Sequence, residues 1–128
     1  MRFYRQLWEE VGGAAVEYEG ANETVVCTLA GITTDVGARQ VLLIGVCYFT
    51  LAAETGTTTI RIRRGTTTAG HEVAKVVVEG VAAKKNECSI QAIDNVEETA
   101  QGNYCLTMTE SKAGSKPKSV ESRLRAEC

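Results

Sequence analysis

The sequence predicts an all-β protein built as an antiparallel sandwich of two sheets, and three observations lead to this prediction. Segments in which apolar and polar residues alternate recur along residues 23–128. Loops rich in glycine, threonine and acidic residues separate them at roughly 8–12-residue spacing, which is typical of sandwiches and barrels. The third observation is a long apolar run from Val41 to Ala52. Its β-branched and aromatic residues and its internal Gly45 favour a strand over a helix.

This central strand is apolar on both of its faces. Its residues alternate, with Val41, Leu43, Cys47, Phe49 and Leu51 on one face and Leu42, Ile44, Val46 and Tyr48 on the other. A single-layer antiparallel sheet has one face in water, so a strand that is apolar on both sides must be covered twice. The second sheet of the sandwich is one cover. The other is either the N-terminal segment or a neighbouring subunit.

The first 12 residues differ from the rest of the chain. Their large side chains recur at helical spacing: Phe3, Tyr4, Leu7, Trp8 and Val11. The segment is therefore predicted to be a short amphipathic helix or an extended arm, and it ends at Gly12-Gly13. Such aromatic residues either fill one end of the domain's own core or anchor a partner. We divide the chain into an N-terminal arm, 1–22, and one sandwich domain, 23–128.

The body of the chain is predicted to hold seven or eight strands. The clearest segments are 24–30, 41–52, 57–64, 71–78, 88–93, 103–110 and 120–126. The last of them, VESRLRA, also fits a short helix. Read as a strand, it places Val120, Ser122, Leu124 and Ala126 on one face.

Three neighbouring arginines, Arg61, Arg63 and Arg64, are the most notable charges of the chain. Their strand places Ile60 and Ile62 inward, which turns Arg61 and Arg63 outward. Two interpretations are open. The arginines form a solvated face that protects a sheet edge from unwanted pairing, or they contact an anion or an acidic partner, including a neighbouring subunit.

No catalytic, cofactor-binding or metal-binding residues are predicted. His71 is the only histidine, and no nucleophile signature such as G-x-S-x-G accompanies it. The cysteines form no C-x-x-C pair, and no phosphate-binding loop is present. Asp94, Glu97 and Glu98 share one acidic loop but lack the alternation of a calcium loop, so a solvated turn is expected.

Composition excludes several classes of protein. The net charge of −2 indicates no concentrated basic surface, so we expect no nucleic-acid partner. No apolar run reaches the length of about 18 residues that a transmembrane helix needs, and the N-terminus has acidic residues where a signal peptide would need its apolar stretch. We therefore expect synthesis in a cytoplasm and no membrane partner. The five cysteines are then predicted to be reduced, buried thiols.

The segment TGTTTIRIRRGTTTAG, the acidic loop that opens at Asp94 and the strand GNYCLTMT together resemble a group of bacteriophage virion proteins with a tumour-necrosis-factor-like jelly-roll domain. The shared pattern includes the long apolar strand VLLIGVCYFTLAA and a short last strand similar to SVESRLRA. The resemblance covers residues 24–127 and leaves the N-terminal arm uncovered.

This resemblance implies a jelly-roll-like sandwich and a structural role. The expected protein is a homotrimeric capsid decoration, or cement, protein of a virion, made in the host cytoplasm and bound to the major capsid protein or another virion protein. Candidate contacts with such partners are Phe3, Tyr4, Leu7, Trp8, Arg61, Arg63 and Arg64. The alternative is a receptor- or carbohydrate-binding module of a phage tail or fibre. Neither reading is an enzyme, and neither requires a cofactor.

Overall fold

The structure is a computed structural model that describes residues 7–12, 16–17, 22–33, 40–52, 56–95, 101–111 and 117–127. These residues form nine strands: β1 (Leu7–Gly12), β2 (Val16–Glu17), β3 (Thr24–Thr33), β4 (Gln40–Thr50), β5 (Gly56–Arg64), β6 (Glu72–Gly80), β7 (Lys85–Asn95), β8 (Gln101–Glu110) and β9 (Lys118–Glu127). The prediction of an all-β antiparallel sandwich is confirmed. No helix long and apolar enough to cross a membrane occurs in the described ranges.

The strands form two antiparallel sheets. The front sheet has the order β1-β9-β4-β7, with β2 also paired to β9. The back sheet has the order β3-β8-β5-β6. Strand β4 therefore lies inside the front sheet, between β9 and β7, and its inward face meets the back sheet.

The core lies between the sheets because the inward residues of each strand recur with a period of two. On β4 the inward residues Leu43 and Phe49 have no exposed surface, and on the back sheet the same holds for Ile62 and Leu106. Gly45 lies on the inward face of β4. A Cβ atom there would lie 2.9 Å from Cγ2 of Ile90 and 3.0 Å from Cδ1 of Leu106. Glycine at this position lets the sheets pack closely.

The segment predicted as a helix or an arm is extended where the structure describes it. Strand β1 pairs antiparallel with β9, from Leu7 opposite Glu127 to Gly12 opposite Ser122. Residues Phe3 and Tyr4 lie outside the described residues. The division of the chain at residue 22 stays a prediction, although β1 adds a strand to the front sheet.

The C-terminal segment is a strand, and one detail of its predicted face is wrong. Tyr48 of β4 lies opposite Glu121, whereas its neighbour Phe49 lies opposite Ser119. Val120 is thus the extra residue of a β-bulge, and it is 39% exposed. Ser122 keeps its predicted inward position, where its hydroxyl donates a hydrogen bond to the carbonyl oxygen of Val26 at 2.9 Å.

Candidate interaction surface

The outward face of β4 is the main candidate for a functional surface. The inward apolar residues of this strand are at most 1% exposed. The outward ones, Leu42, Ile44, Val46 and Tyr48, are only half-buried. The predicted two-sided apolar character of the strand is therefore present, and the sandwich covers one side more completely than the other.

Two further exposed apolar residues extend this surface. Ile93 of β7 lies directly opposite Leu42 and is 57% exposed. Val120, which the bulge in β9 leaves exposed, adjoins the other end of this surface, near Tyr48. We call the six residues the apolar stripe: Leu42, Ile44, Val46, Tyr48, Ile93 and Val120. Apolar residues that share one exposed face in this way are typical of contact surfaces.

Charged residues of both signs border the apolar stripe on the β9 side. From Tyr48 to Leu42, the residues opposite on β9 are Glu121, Arg123, Arg125 and Glu127. Two of each sign give this border no net charge. Arg125 donates to Glu127 at 2.7 Å, and Arg123 lies 3.8 Å from Glu121. A polar rim around an apolar centre is the usual anatomy of a protein interface.

A hollow with a volume of about 390 Å³ lies at the Tyr48 end of the stripe. Its walls include Val46, Tyr48, Glu87, Glu121 and Arg123. The ammonium of Lys85, also in the wall, lies 4.5 Å from the centre of the Tyr48 ring, close enough for a cation–π interaction. The hollow can therefore accept a side chain or a small polar ligand, but the Tyr48 ring face already has a partner.

Two of the three predicted arginine sites lie on the other side of the molecule. Arg61 and Arg63 project from β5 on the outward face of the back sheet, where Glu23 accepts hydrogen bonds from both. The Arg63 Nε atom lies 2.5 Å and its Nη2 atom 2.8 Å from the Glu23 carboxylate. Thr107 also donates to Glu23, at 2.6 Å. Arg61 makes a second ion pair with Glu72 at 2.7 Å.

This network changes the interpretation of the arginines. Strand β5 lies between β8 and β6, so it is not a sheet edge that needs protection. The hydrogen bond from Arg63 lowers the pKa of Glu23, and burial only partly opposes this shift. The same pairing raises the pKa of Arg63. Carboxylates of the chain itself therefore neutralise these charges, and their role as partner contacts stays a prediction.

Arg64 has a different partner, Asp94, and for this residue the predicted position in a solvated turn is wrong. Asp94 is the penultimate residue of β7 and is 4% exposed. Its carboxylate accepts hydrogen bonds from Nε of Arg64 at 2.7 Å, from Nη2 of Arg64, and from the Tyr104 hydroxyl at 2.6 Å. Burial alone raises the pKa of Asp94, but the hydrogen bonds from Arg64 and Tyr104 outweigh burial and lower it.

Asp94 thus joins the two sheets at one end of the sandwich, since Arg64 and Tyr104 belong to the back sheet. The sequence contained a signal for the buried position of Asp94. Asp94 continues the inward series of Cys88, Ile90 and Ala92, and a buried carboxylate needs a cation or several donors. Glu97 and Glu98 lie outside the described residues.

No group of three or more histidine, cysteine, aspartate or glutamate residues is placed to hold a metal ion in the described part of the chain. His71 is exposed and precedes β6, and its carbonyl oxygen accepts a hydrogen bond from the Arg64 amide at 2.9 Å. Four cysteines, Cys27, Cys47, Cys88 and Cys105, are buried thiols, as predicted. Cys128 lies outside the described residues.

No protein-family model and no curated protein sequence matches this chain. Solved structures do match it. A structure of the Gt strain of infectious bursal disease virus aligns with a TM-score of 0.67 and 11% identity, over 96% of this chain and 33% of that chain. The VP2 subviral particle of the same virus aligns with a TM-score of 0.60 and 15% identity, over 96% and 32%.

Murine APRIL aligns over 98% of this chain and all of its own, with a TM-score of 0.64 and 10% identity. At these identities the likeness shows the fold alone, a jelly-roll-like sandwich, and the predicted fold class is confirmed in this respect. The chain spans about a third of the length of the viral chains that it matches.

Proposed function

We propose that this protein is a non-enzymatic structural protein of a virion, and that its subunits associate through the apolar stripe of the front sheet. In its most specific form, the proposal is a homotrimeric capsid decoration protein of a bacteriophage. It binds the major capsid protein or another virion protein. Two observations support it: the outward face of β4, and the likeness of the fold to chains from viral particles.

The outward face of β4 carries the proposal. An edge strand can expose apolar residues as an accident of shape, but β4 is an interior strand with a neighbour on each side. Four consecutive outward positions on it are apolar. Apolar surface removed from water favours assembly by about 25 cal/mol per Å² before the entropic costs of association are subtracted. A second copy of the chain is a fitting cover because the β9-side border of the stripe has no net charge and so does not repel a neighbouring subunit.

The threefold state rests on the resemblance to trimeric phage proteins. In a cyclic trimer each subunit presents one surface to one neighbour and a different surface to the other. The apolar stripe is one of these surfaces. Residues Phe3, Tyr4, Leu7 and Trp8 of the N-terminal arm stay candidates for contacts with a neighbouring subunit or with the capsid.

The mass of the protein in solution tests the proposal. Light scattering at low micromolar concentration is expected to give three times the 13.8 kDa of one chain. Val46→Glu places a charge in the middle of the stripe and is expected to yield monomers with an unchanged circular dichroism spectrum. Val77→Glu is the matched control, since Val77 is 53% exposed on the back sheet, and it should leave the trimer intact.

A monomeric wild-type protein, or a Val46→Glu variant that stays trimeric, would contradict assembly through this face. Leu42→Glu repeats the test at the other end of the stripe in case Val46→Glu fails to fold. Binding to capsid shells that lack the protein then separates decoration from other structural roles. Decoration requires that the trimer co-sediments with such shells.

A receptor- or carbohydrate-binding module is the second candidate, and the hollow beside Tyr48 is the observation in its favour. Carbohydrate sites combine an aromatic ring with charged groups that bind hydroxyls, and Tyr48, Glu87, Glu121 and Arg123 offer both. The position of Lys85 over the ring weakens this reading. A monomer that binds a glycan, and loses binding in Tyr48→Ala, would favour it over assembly.

A further inference from the structure

Two of the buried cysteines face each other across neighbouring strands of the front sheet. Cys47 of β4 and Cys88 of β7 are directly opposite in register. Both lie on the inward face, 1% and 5% exposed, and both are free thiols. Directly opposite residues of antiparallel strands have Cα atoms about 4.5–5.5 Å apart, and disulfides join Cα atoms about 4.4–6.8 Å apart. The register therefore permits a bond between these two sulfur atoms.

We propose that Cys47 and Cys88 are a disulfide site, at which a small disulfide such as glutathione disulfide converts the two thiols into one intramolecular cross-strand bond. The inference does not depend on the proposed function. It goes beyond the prediction of reduced, buried thiols because it assigns two of the cysteines a covalent partner.

The reaction proceeds by two thiol–disulfide exchanges. The Cys88 thiolate first attacks one sulfur of glutathione disulfide, which forms a mixed disulfide and releases one glutathione. The Cys47 thiolate then attacks the Cys88 sulfur and releases the second glutathione. Two protein thiols are oxidised, one small disulfide is reduced to two thiols, and the two protein protons pass to solvent or to the departing glutathione thiolates.

The structure favours Cys88 as the first nucleophile. It lies on β7, the last strand in the order of the front sheet, whereas Cys47 lies on the interior strand β4. Burial raises the pKa of the Cys88 thiol. Burial, assisted by the nearby Cys88, raises the pKa of Cys47 to about 12. The exchange is therefore slow at neutral pH in the closed sheet, and faster at higher pH or when β7 opens from β4.

The other two described cysteines are not placed in this way. Cys27 of β3 lies opposite Leu106, and Cys105 lies opposite Thr28. Cys105 faces the Gly65–Gly70 loop, where its sulfur lies 3.8 Å from the carbonyl oxygen of Thr67. Cys27 is as buried as Cys88, at 5% exposed, so Cys27→Ala is a matched control for the loss of one buried thiol.

The test equilibrates the full chain with glutathione buffers of increasing disulfide content at about pH 8.5, where a cysteine exposed by the opening of β7 is about half thiolate. Remaining free thiols are then alkylated, and intact mass and peptide mapping locate the bond. We expect one disulfide between Cys47 and Cys88, formed in proportion to oxidised glutathione divided by the square of reduced glutathione. A mixed disulfide would instead follow the simple ratio of the two.

Cys27→Ala should keep this bond, and Cys47→Ala and Cys88→Ala should lose it. The oxidised wild-type protein should also unfold at a higher temperature than the reduced one, because the bond restricts the unfolded chain. Four results would overturn the proposal: glutathione adducts without an internal bond, a bond that joins other cysteines, an oxidised protein that unfolds at a lower temperature, or no reaction in the most oxidising buffer.

Discussion

The outward faces of the two sheets differ in whether their side chains find partners within one chain. On the back sheet, Arg61 and Arg63 project outward and meet Glu23 and Thr107, so the polar groups of this face satisfy each other. On the front sheet, the outward positions of β4 are apolar and half-buried. The polar groups of the back face find partners within one chain, whereas the front face keeps apolar side chains that are only half-buried. The difference supports the proposal that subunits associate through the front sheet.

The two faces of β4 give the largest expected difference in stability. Leu43→Ala removes an inward side chain that is fully buried, and it should lower the free energy of unfolding by about 2–5 kcal/mol. Leu42→Ala, its outward neighbour, should cost less than about 1 kcal/mol in the monomer. Urea unfolding of a monomeric background such as Val46→Glu measures both. Equal costs would mean that the outward face is as well covered as the core.

The link between the sheets at Asp94 gives the next largest effect. Asp94→Asn removes the charge that pairs with Arg64, and it should cost roughly 2 kcal/mol at pH 7. This is less than for a fully buried pair because the Arg64 side chain is 46% exposed. Thermal unfolding compares this variant with the wild type across pH.

The pH dependence has a definite sign. The pKa values of Asp94 and Glu23 are both lowered in the folded state, so between the folded and unfolded values the unfolded chain binds more protons. The contribution of these two carboxylates to the free energy of unfolding is complete above their unfolded pKa values of about 4, and it declines as the pH falls below those values. In the Asp94→Asn variant, the free energy of unfolding should therefore fall less steeply as the pH falls. An unchanged acid slope in the variant would show that Asp94 is not one of its sources.

The smallest effects compare an ion pair of the back face with one of the front face. Glu23→Gln weakens the bonds from Arg63 and Thr107 at a site where Glu23 is 15% exposed, and it should cost about 1–2 kcal/mol. Glu121→Gln removes a 3.8 Å pair whose partners are 51% and 44% exposed, and it should cost less than about 0.5 kcal/mol. The urea concentrations at the unfolding midpoints, measured in a monomeric background, distinguish the stability costs of the two variants. A larger cost for Glu121→Gln would reverse the comparison.

Much of the fold was predictable because alternation is a local property. The period of two assigned Ile60 and Ile62 to the core and identified the second apolar face of β4. It failed at Val120, since a bulge adds one residue and shifts the alternation on one side of it. Asp94 was predicted to lie in a loop although the alternation continues to it, because a carboxylate at the end of a strand is taken as a turn signal unless its distant cation is known.

By itself, the sequence determined the all-β class, the central strand and its two apolar faces, since these depend on residue types that are close along the chain. The tertiary structure decided which strands are neighbours. It placed β5 inside a sheet, brought Arg64 to Asp94 and set Cys47 opposite Cys88. Such pairings join residues far apart in sequence and depend on the order of strands in each sheet. Alternation determines only the face to which a side chain points, not the neighbour that it meets there.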